Sequence, residues 1–300
     1  MSLEEELHPT YFALNWLHLD DRTWTDGHTE RYLAGGHDGV DMWFGRDLAK
    51  SVSFSFLRSL PKVRGVSIVG PVRDDLAAFD VTGLECLILV TKCVKPMRLE
   101  SLTSLRDLRI DDRPGIDCVR DLSKLEYLAI SKYRGADLGF MGRHPDLRGF
   151  RLEGRGQRTS LSGVEQCTSM TFLDLWEINP DSLAPVQPLR NLTHVQIRGK
   201  DPSPDWSAID LEAFRGMNRL EWLYLIGVGS IRSLAPIREI PNLKGVTLAG
   251  CVIEDGDLSP LVDLPPGVSI VPPDDRPHYR PSVEQLMALR SHIEGVGRGK

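Results

Sequence analysis

The sequence lacks the features that mark several large classes of protein. It has no apolar run near the ~18 residues of a membrane-spanning helix, and its mean hydropathy is -0.20. Its net charge of -6 and pI near 5.8 do not provide the basic surface of a nucleic-acid binder. Its five cysteines are odd in number and form no C-x-x-C pair, unlike a disulfide framework. We therefore expect a soluble chain, with neither nucleic acid nor a membrane as its partner.

Catalytic motifs are also missing. There is no phosphate-binding G-x-x-x-x-G-K, no G-x-S-x-G and no H-E-x-x-H. Histidines and aspartates do collect near the N-terminus, in a spacing that matches no metal-ligand pattern. They are His18, Asp20, Asp21, His28, His37 and Asp38. We predict no catalytic residue, no metal site and no cofactor; the alternative is an enzyme whose N-terminal module carries the chemistry.

The N-terminal sequence predicts a cytoplasmic protein. Its first residues, MSLEEELHPTYF, are acidic where a secretory signal is basic, and no apolar stretch follows them. The unpaired cysteine pattern agrees with a reducing compartment.

The sequence does contain a pattern of four apolar residues at fixed spacing, here called the apolar phrase, that recurs ten times. One copy is Leu102, Leu105, Leu108 and Ile110, and the next is Leu122, Leu125, Leu128 and Ile130. The last apolar residues of the ten copies are Ile68, Leu89, Ile110, Ile130, Leu152, Leu175, Ile197, Leu225, Leu248 and Ile270. Their spacing is 20 to 23 residues, apart from 28 between Ile197 and Leu225, which indicates one insertion. Such a period is typical of a solenoid, in which each repeat packs on its neighbours.

The spacing inside the phrase predicts the structure of one coil. The final pair, such as Leu108 and Ile110, is two residues apart, which suits a short strand with alternating sides. The earlier residues, such as Leu102 and Leu105, are three apart, which suits a helical turn that returns the chain to the next strand.

From about residue 56 to 271 the chain resembles the leucine-rich repeat family, and its internalin-type repeats most closely. The return segments Leu183-Ala184-Pro185-Val186, Leu234-Ala235-Pro236-Ile237 and Leu258-Ser259-Pro260-Leu261 match the Leu-x-Pro-Leu element of those bacterial proteins. The resemblance implies an α/β solenoid: a right-handed superhelix of about ten coils, with a parallel sheet on the concave face and short helical or 3-10 segments on the convex face. The family's turn asparagine or cysteine is present only as Cys251, so we expect other groups to satisfy the turns.

Non-repeat segments are predicted to cap both ends of the solenoid at 56–271. Residues 1–55, rich in aromatic side chains, form an N-terminal cap or small module. Residues 272–300 form a linker and a capping helix, which Ser282-Val283-Glu284-Gln285 begins as a capping box and Gly295 ends. We expect Leu286, Leu289 and Ile293 to share the buried face of this helix; a partner-binding helix is the alternative.

The concave face is the predicted binding site, because strand side chains that do not enter the core point there. Five aromatic side chains occupy positions predicted to face solvent, beside charged residues, as in interface hot spots: Tyr127, Phe172, Trp176, Trp222 and Tyr224. Local packing of these rings is the alternative. The candidate binding residues are Asp107, Arg109, Tyr127, Arg151, Phe172, Asp174, Trp176, His194, Trp222 and Tyr224. Arg198 falls in a further exposed column outside this set.

The predicted size of the face favours a macromolecule. Ten strands at about 4.8 Å spacing and nearly 20 Å of depth offer on the order of 800 Å², which matches one side of a standard protein interface. We therefore expect a non-enzymatic repeat protein that binds a protein or peptide. The oligomeric state stays open, and a surface adhesin is a further alternative.

Overall fold

The computed structural model describes residue 5 and residues 8–20, 23–45, 52–200 and 206–297. The chain divides into two compact units, Met1–Tyr133 with Gly139–Phe150, and Arg134–Leu138 with Arg151–Lys300.

The first unit contains six parallel strands that pair in chain order. They are β1 (Trp16–Asp20), β2 (Gly39–Trp43), β3 (Gly65–Val69), β4 (Cys86–Val90), β5 (Asp107–Asp111) and β6 (Tyr127–Ser131). Corresponding positions lie side by side, so Val66, Leu87, Leu108 and Leu128 form one row. All four are fully buried, and this row of stacked aliphatic side chains is the core of the unit.

Strand alternation divides each strand between two faces. Side chains at the second and fourth positions enter the core, and those at the first, third and fifth positions lie on the opposite side of the sheet, here called the open face. The 3-10 turns Ser55–Ser59, Leu76–Asp80 and Ile116–Asp121 return the chain between strands. Leu57, Phe79 and Val119 of these turns are buried, which closes the core from its other side.

Two strands, β1 and β2, lie in residues 1–55, ahead of the ten that the repeat predicts. β2 pairs in parallel with both β1 and β3. Their core residues, such as Leu17 and Val40, alternate as in the later strands. β1 carries part of the repeat pattern, because Leu14, Leu17 and Leu19 are spaced like Leu105, Leu108 and Ile110, whereas β2 has no leucine at the upstream positions. The ten-copy repeat therefore does not include these two strands. The segment also contains α1 (Pro9–Ala13) and α2 (Asp26–Ala34).

The second unit repeats the same arrangement. Five parallel strands pair in sequence, and four shorter strands form two small parallel pairs, β8 with β10 and β13 with β15. The strands after β6 are β7 (Gly149–Glu153), β8 (Arg158–Thr159), β9 (Phe172–Trp176), β10 (Asn179–Pro180), β11 (His194–Arg198), β12 (Trp222–Ile226), β13 (Gly229–Ile231), β14 (Gly245–Thr247), β15 (Cys251–Ile253) and β16 (Ser269–Val271). β7 spans the division between the units. The ten predicted strands are confirmed: nine of the apolar end positions lie within a strand, and Leu248 follows β14 directly.

The predicted return segments are short helices. The first two Leu-x-Pro elements form the 3-10 turns Ala184–Val186 and Ala235–Glu239, and the third forms α3 (Ser259–Val262). Two further 3-10 turns are Val164–Gln166 and Leu211–Phe214. Proline occupies the first turn of the three Leu-x-Pro segments, where a helix does not need its missing N–H.

A buried ion pair involves Arg113, which occupies one of the turn positions where the family has asparagine. Nη1 of Arg113 lies 2.9 Å from both carboxylate oxygens of Asp75, and Thr91 donates a 2.7 Å hydrogen bond to the same carboxylate. The Arg113 guanidinium also lies 5.2 Å from the centre of the Phe79 ring. In the second unit, the Cys251 thiol donates to the carbonyl of Leu225, as the family pattern implies.

The C-terminal helix, α4 (Val283–Gly297), begins as predicted but packs differently. The Ser282 hydroxyl accepts from the Gln285 N–H, and the Gln285 side chain accepts from the Ser282 N–H, which completes the capping box. Leu286 is buried, but the prediction for Leu289 is wrong, because Arg290 takes the buried place and donates to the carbonyls of Leu264 and Pro265. The helix also continues past Gly295 to Gly297. No helix among the described residues is long and apolar enough to cross a bilayer.

Candidate binding surface

In the first unit, an N-terminal strap (residues 8–16, which include α1) covers three of the candidate binding residues. The His8 ring packs edge-on against Tyr127, with 4.0 Å between ring centres. Nδ1 of His8 lies 3.6 Å from the Asp107 carboxylate. The Arg109 guanidinium lies 5.1 Å from the centre of the Tyr11 ring and donates to Asp107 at 3.0 and 2.8 Å. The open face of β5 and β6 is therefore occupied by the chain itself.

Apolar contacts anchor the strap. Leu14 and Trp16 pack with Cys86 and Ile88 of β4. The indole N–H of Trp16 donates to the carbonyl of Tyr11 at 2.8 Å, which ties the end of α1 to β1. A side chain on Gly65 would overlap the rings and methyl groups of Trp16 and Leu14, so glycine there makes room for the strap.

The prediction that Tyr127 faces solvent is wrong. Its side chain is only 2% exposed, because His8 lies on the ring and Arg109 approaches within 5.4 Å of the ring centre. Burial would raise the pKa of the adjacent Asp107 carboxyl, but its contacts with His8 and Arg109 outweigh burial and hold that pKa below its usual value. Asp107 is thus a charged anchor for the strap.

Removing the strap's two ring contacts should loosen it. We expect His8→Ala combined with Tyr11→Ala to lower the free energy of unfolding by about 2 kcal/mol, since two partly buried rings and one contact to a buried carboxylate are lost. Phenylglyoxal should then modify Arg109 several times faster, as measured by mass spectrometry. Arg158, which is 61% exposed in the second unit, serves as the control and should react at an unchanged rate. Unchanged labelling of Arg109 would contradict this placement of the strap.

In the second unit, a row of rings crosses the first positions of the strands. Phe172, His194 and Trp222 lie on adjacent strands in register. His194 lies 6.5 Å from the Phe172 ring centre and 6.4 Å from that of Trp222, nearly parallel to the latter. The Trp222 ring lies on Gly245 of the next strand, where any side chain would overlap it. The prediction that Phe172 faces solvent is wrong, since it is 6% exposed, packed beside His194.

The third positions form a polar row. Nε of Arg151 donates to the Asp174 carboxylate at 2.7 Å, and the Gln196 amide donates to its other oxygen at 3.2 Å. The Asp174 side chain is 1% exposed, whereas that of Arg151 is 43% exposed. Tyr224 continues the row, and its ring stacks parallel to Trp222 with 6.0 Å between centres.

The fifth positions place a tryptophan beside a cation. Trp176 is 41% exposed, and the Arg198 guanidinium lies 5.5 Å from the centre of its ring. Burial raises the pKa of the Tyr224 hydroxyl, and the charge of Arg198 partly offsets this rise, so the two side chains interact electrostatically. We call Trp176, His194, Arg198, Trp222 and Tyr224 the aromatic patch.

The aromatic patch contains rings, hydrogen-bond donors and charge on neighbouring strands. Gln196 and Arg198 take part in the open face although the candidate set from the sequence omits them. The sequence could have indicated both residues, because they lie two and four positions after His194 on the same strand and therefore share its face. Register brings the patch together from three strands that are 22 or more residues apart in sequence.

The histidines and aspartates near the N-terminus have separate structural contacts. His18 lies 2.8 Å from Asp41 of the next strand, and the His28 side chain accepts from the Thr25 N–H in the capping box that begins α2. His37 contacts Asn15 at 3.0 Å. Asp21 lies outside the described residues. Within the described ranges, no three histidine, cysteine or acidic residues are placed to share a metal ion.

Comparisons with known proteins show the fold. No protein-family model matches the sequence, and no curated protein matches it. Among solved structures, the internalin InlF of Listeria monocytogenes is similar over 97% of this chain and 87% of its own, with 14% identity and a TM-score of 0.60. The functional domain of InlJ from the same species is similar over 89% of this chain and 64% of its own, with 13% identity and a TM-score of 0.50. The chain therefore has a leucine-rich repeat fold of the bacterial internalin type.

Proposed function

We propose that this chain is a non-enzymatic repeat protein that binds a protein or a peptide through its open face. The observation that supports this most is the aromatic patch, in which Trp176, Trp222 and Tyr224 present partly exposed rings and Arg198 lies over the ring of Trp176. Tryptophan, tyrosine and arginine are the residues that most often dominate binding energy at protein interfaces.

The backbone under the patch favours tight binding. Each patch residue lies on a strand that is hydrogen-bonded on both sides. The Trp222 ring is further held between His194 and Gly245. Rings already fixed in place lose little conformational entropy when a partner covers them, so more of the contact energy contributes to affinity.

We assign the contacts with the partner to the second unit. Its candidates are Arg151, Trp176, His194, Trp222 and Tyr224, and the buried Asp174 and Phe172 support them from below. Asp107, Arg109 and Tyr127 of the first unit are in contact with the strap and take the role of holding it.

The test compares the intact chain with a variant in which Trp222→Ala is combined with Tyr224→Ala. Against a partner captured from the native host, we expect affinity to fall by ~10-fold or more, because two central aromatic contacts are removed. Trp43→Ala is the matched control: this tryptophan is 52% exposed in the first unit, and its loss should leave affinity unchanged. An unchanged dissociation constant for the double variant, with its unfolding midpoint intact, would contradict the proposal.

The thiols support the cytoplasm as the compartment in which the chain acts. None of Cys86, Cys93, Cys118, Cys167 and Cys251 forms a disulfide, and all but Cys118 are buried. Burial raises the pKa of Cys251 to about 11 and that of Cys86 well above its usual value, which keeps both as unreactive thiols. Free buried thiols of this kind are typical of proteins in reducing compartments.

A further inference from the structure

Three arginines occupy open-face positions of the described strands, and two of them have carboxylate partners within the chain. Arg109 donates twice to Asp107, and Arg151 donates to Asp174. In both cases the aspartate is almost fully buried, so the chain itself supplies the anion that its arginine requires.

Arg198 is the third, and its guanidinium contacts an aromatic ring but, within the part of the chain that the structure describes, no carboxylate. It lies over Trp176, as Arg109 lies over Tyr11. Its Nε is buried and has no hydrogen-bond partner among the described residues. No carboxylate of the described residues lies within ion-pair distance of it. A buried N–H is normally paired, so this one lacks an acceptor that the other two arginines have.

The surroundings of Arg198 suit a carboxylate on a peptide. In-register neighbours are Trp176 on one side and Ile226 on the other, with Tyr224 diagonal to it. These apolar walls keep water away from a bound ion pair, which strengthens it. The planar fork of a guanidinium matches the two oxygens of a carboxylate. A polyanion fits less well, because the patch contains a single arginine and the whole chain has a net charge of -6.

We propose that the partner presents an acidic peptide segment, in which an aspartate or glutamate carboxylate pairs with Arg198 while an adjacent apolar side chain packs on Trp176 and Tyr224. This inference rests on the proposed function, since it names the chemistry of the partner at the same surface. Arg198 thereby sets the specificity, and the rings supply most of the affinity.

The probe for the test is a displayed library of random dodecapeptides, selected against the full chain. We expect the peptides that depend on Trp222 and Tyr224 to be enriched in aspartate or glutamate. One such peptide, synthesised with its acidic residue and with the matching amide, is then titrated against the intact chain and against Arg198→Gln.

We expect the loss of affinity to depend on both partners of the ion pair. Arg198→Gln should weaken binding of the acidic peptide by ~10-fold or more. It should leave binding of the amide peptide almost unchanged, because that peptide already lacks the carboxylate. Arg198→Lys keeps the charge without the planar fork, so its loss should be smaller. Arg158→Gln, an exposed arginine paired with Asp181, is the control and should change neither affinity.

Two outcomes would overturn the inference, and they separate it from the proposed function. Peptides that require Trp222 and Tyr224 but show no acidic enrichment, or that bind Arg198→Gln equally well, would reject the carboxylate and leave the proposed function standing. Selected peptides that ignore Trp222 and Tyr224 would reject both.

Discussion

Replacing Leu223 with aspartate is expected to abolish cooperative folding of the second unit. Leu223 is fully buried in β12, in register with Val195 and Val246 of the two adjacent strands. A carboxylate placed there has no partner and costs more than about 5 kcal/mol, which is comparable with the whole stability of many domains. Because each coil packs only on its neighbours, the adjacent coils should loosen with it. Urea unfolding followed by circular dichroism measures the effect.

The control for this substitution is Thr247→Asp on the next strand. Thr247 is only partly buried and lies on the open face, so the new carboxylate remains hydrated. We expect its cost to be within about 0.5 kcal/mol, as for an ordinary surface substitution. Equal unfolding midpoints for Leu223→Asp and the intact chain would show that the repeat phase assigned to this strand is wrong.

Replacing Arg113 with methionine is expected to be the second most damaging change. It leaves the buried Asp75 carboxylate with the hydroxyl of Thr91 but without its cation. Removing one member of a buried ion pair typically costs about 3–5 kcal/mol, because the remaining charge is uncompensated. The free energy of unfolding in urea measures this loss.

The matched double variant, Arg113→Met with Asp75→Leu, separates charge from packing. It removes both ions and fills their space with apolar atoms, so we expect it to recover most of the stability lost in the single variant. A double variant as unstable as Arg113→Met alone would show that this site depends on the shape of the arginine rather than on its charge.

The strands were predictable because their signal is local and repeated. Every copy of the phrase, such as Leu105, Leu108 and Ile110, specifies its own alternation, and ten copies in phase leave little ambiguity about which side chains enter the core. β1 keeps only part of the pattern, as Leu14, Leu17 and Leu19, and β2 has His37 and Ala34 in place of the upstream leucines. The ten-copy repeat was therefore not extended to these two strands, even though they pair like the others.

The predictions that Tyr127 and Phe172 face solvent were wrong for a different reason. Alternation correctly put Tyr127 and Phe172 on the face opposite the aliphatic core, but it does not reveal what else lies there. His8 covers Tyr127 from 119 positions earlier in the chain, and no repeat period connects the two. A similar limit applies to α4, where spacing along the helix favoured Leu289 as the buried residue. Arg290 is buried instead, because it donates to carbonyls of a loop more than twenty residues away, which spacing along the helix does not reveal.

By itself, the sequence determined the repeat, the register of the core and the identity of the side chains on each face, because these follow from spacing along one coil. Only the tertiary structure decided which open-face residues are covered by the strap and which stay exposed. It also decided that Arg109 and Arg151 pair with carboxylates, whereas Arg198 lies over Trp176 with no carboxylate partner among the described residues. The physical reason is that exposure and charge pairing depend on segments brought together by folding, across distances in sequence that no local pattern encodes.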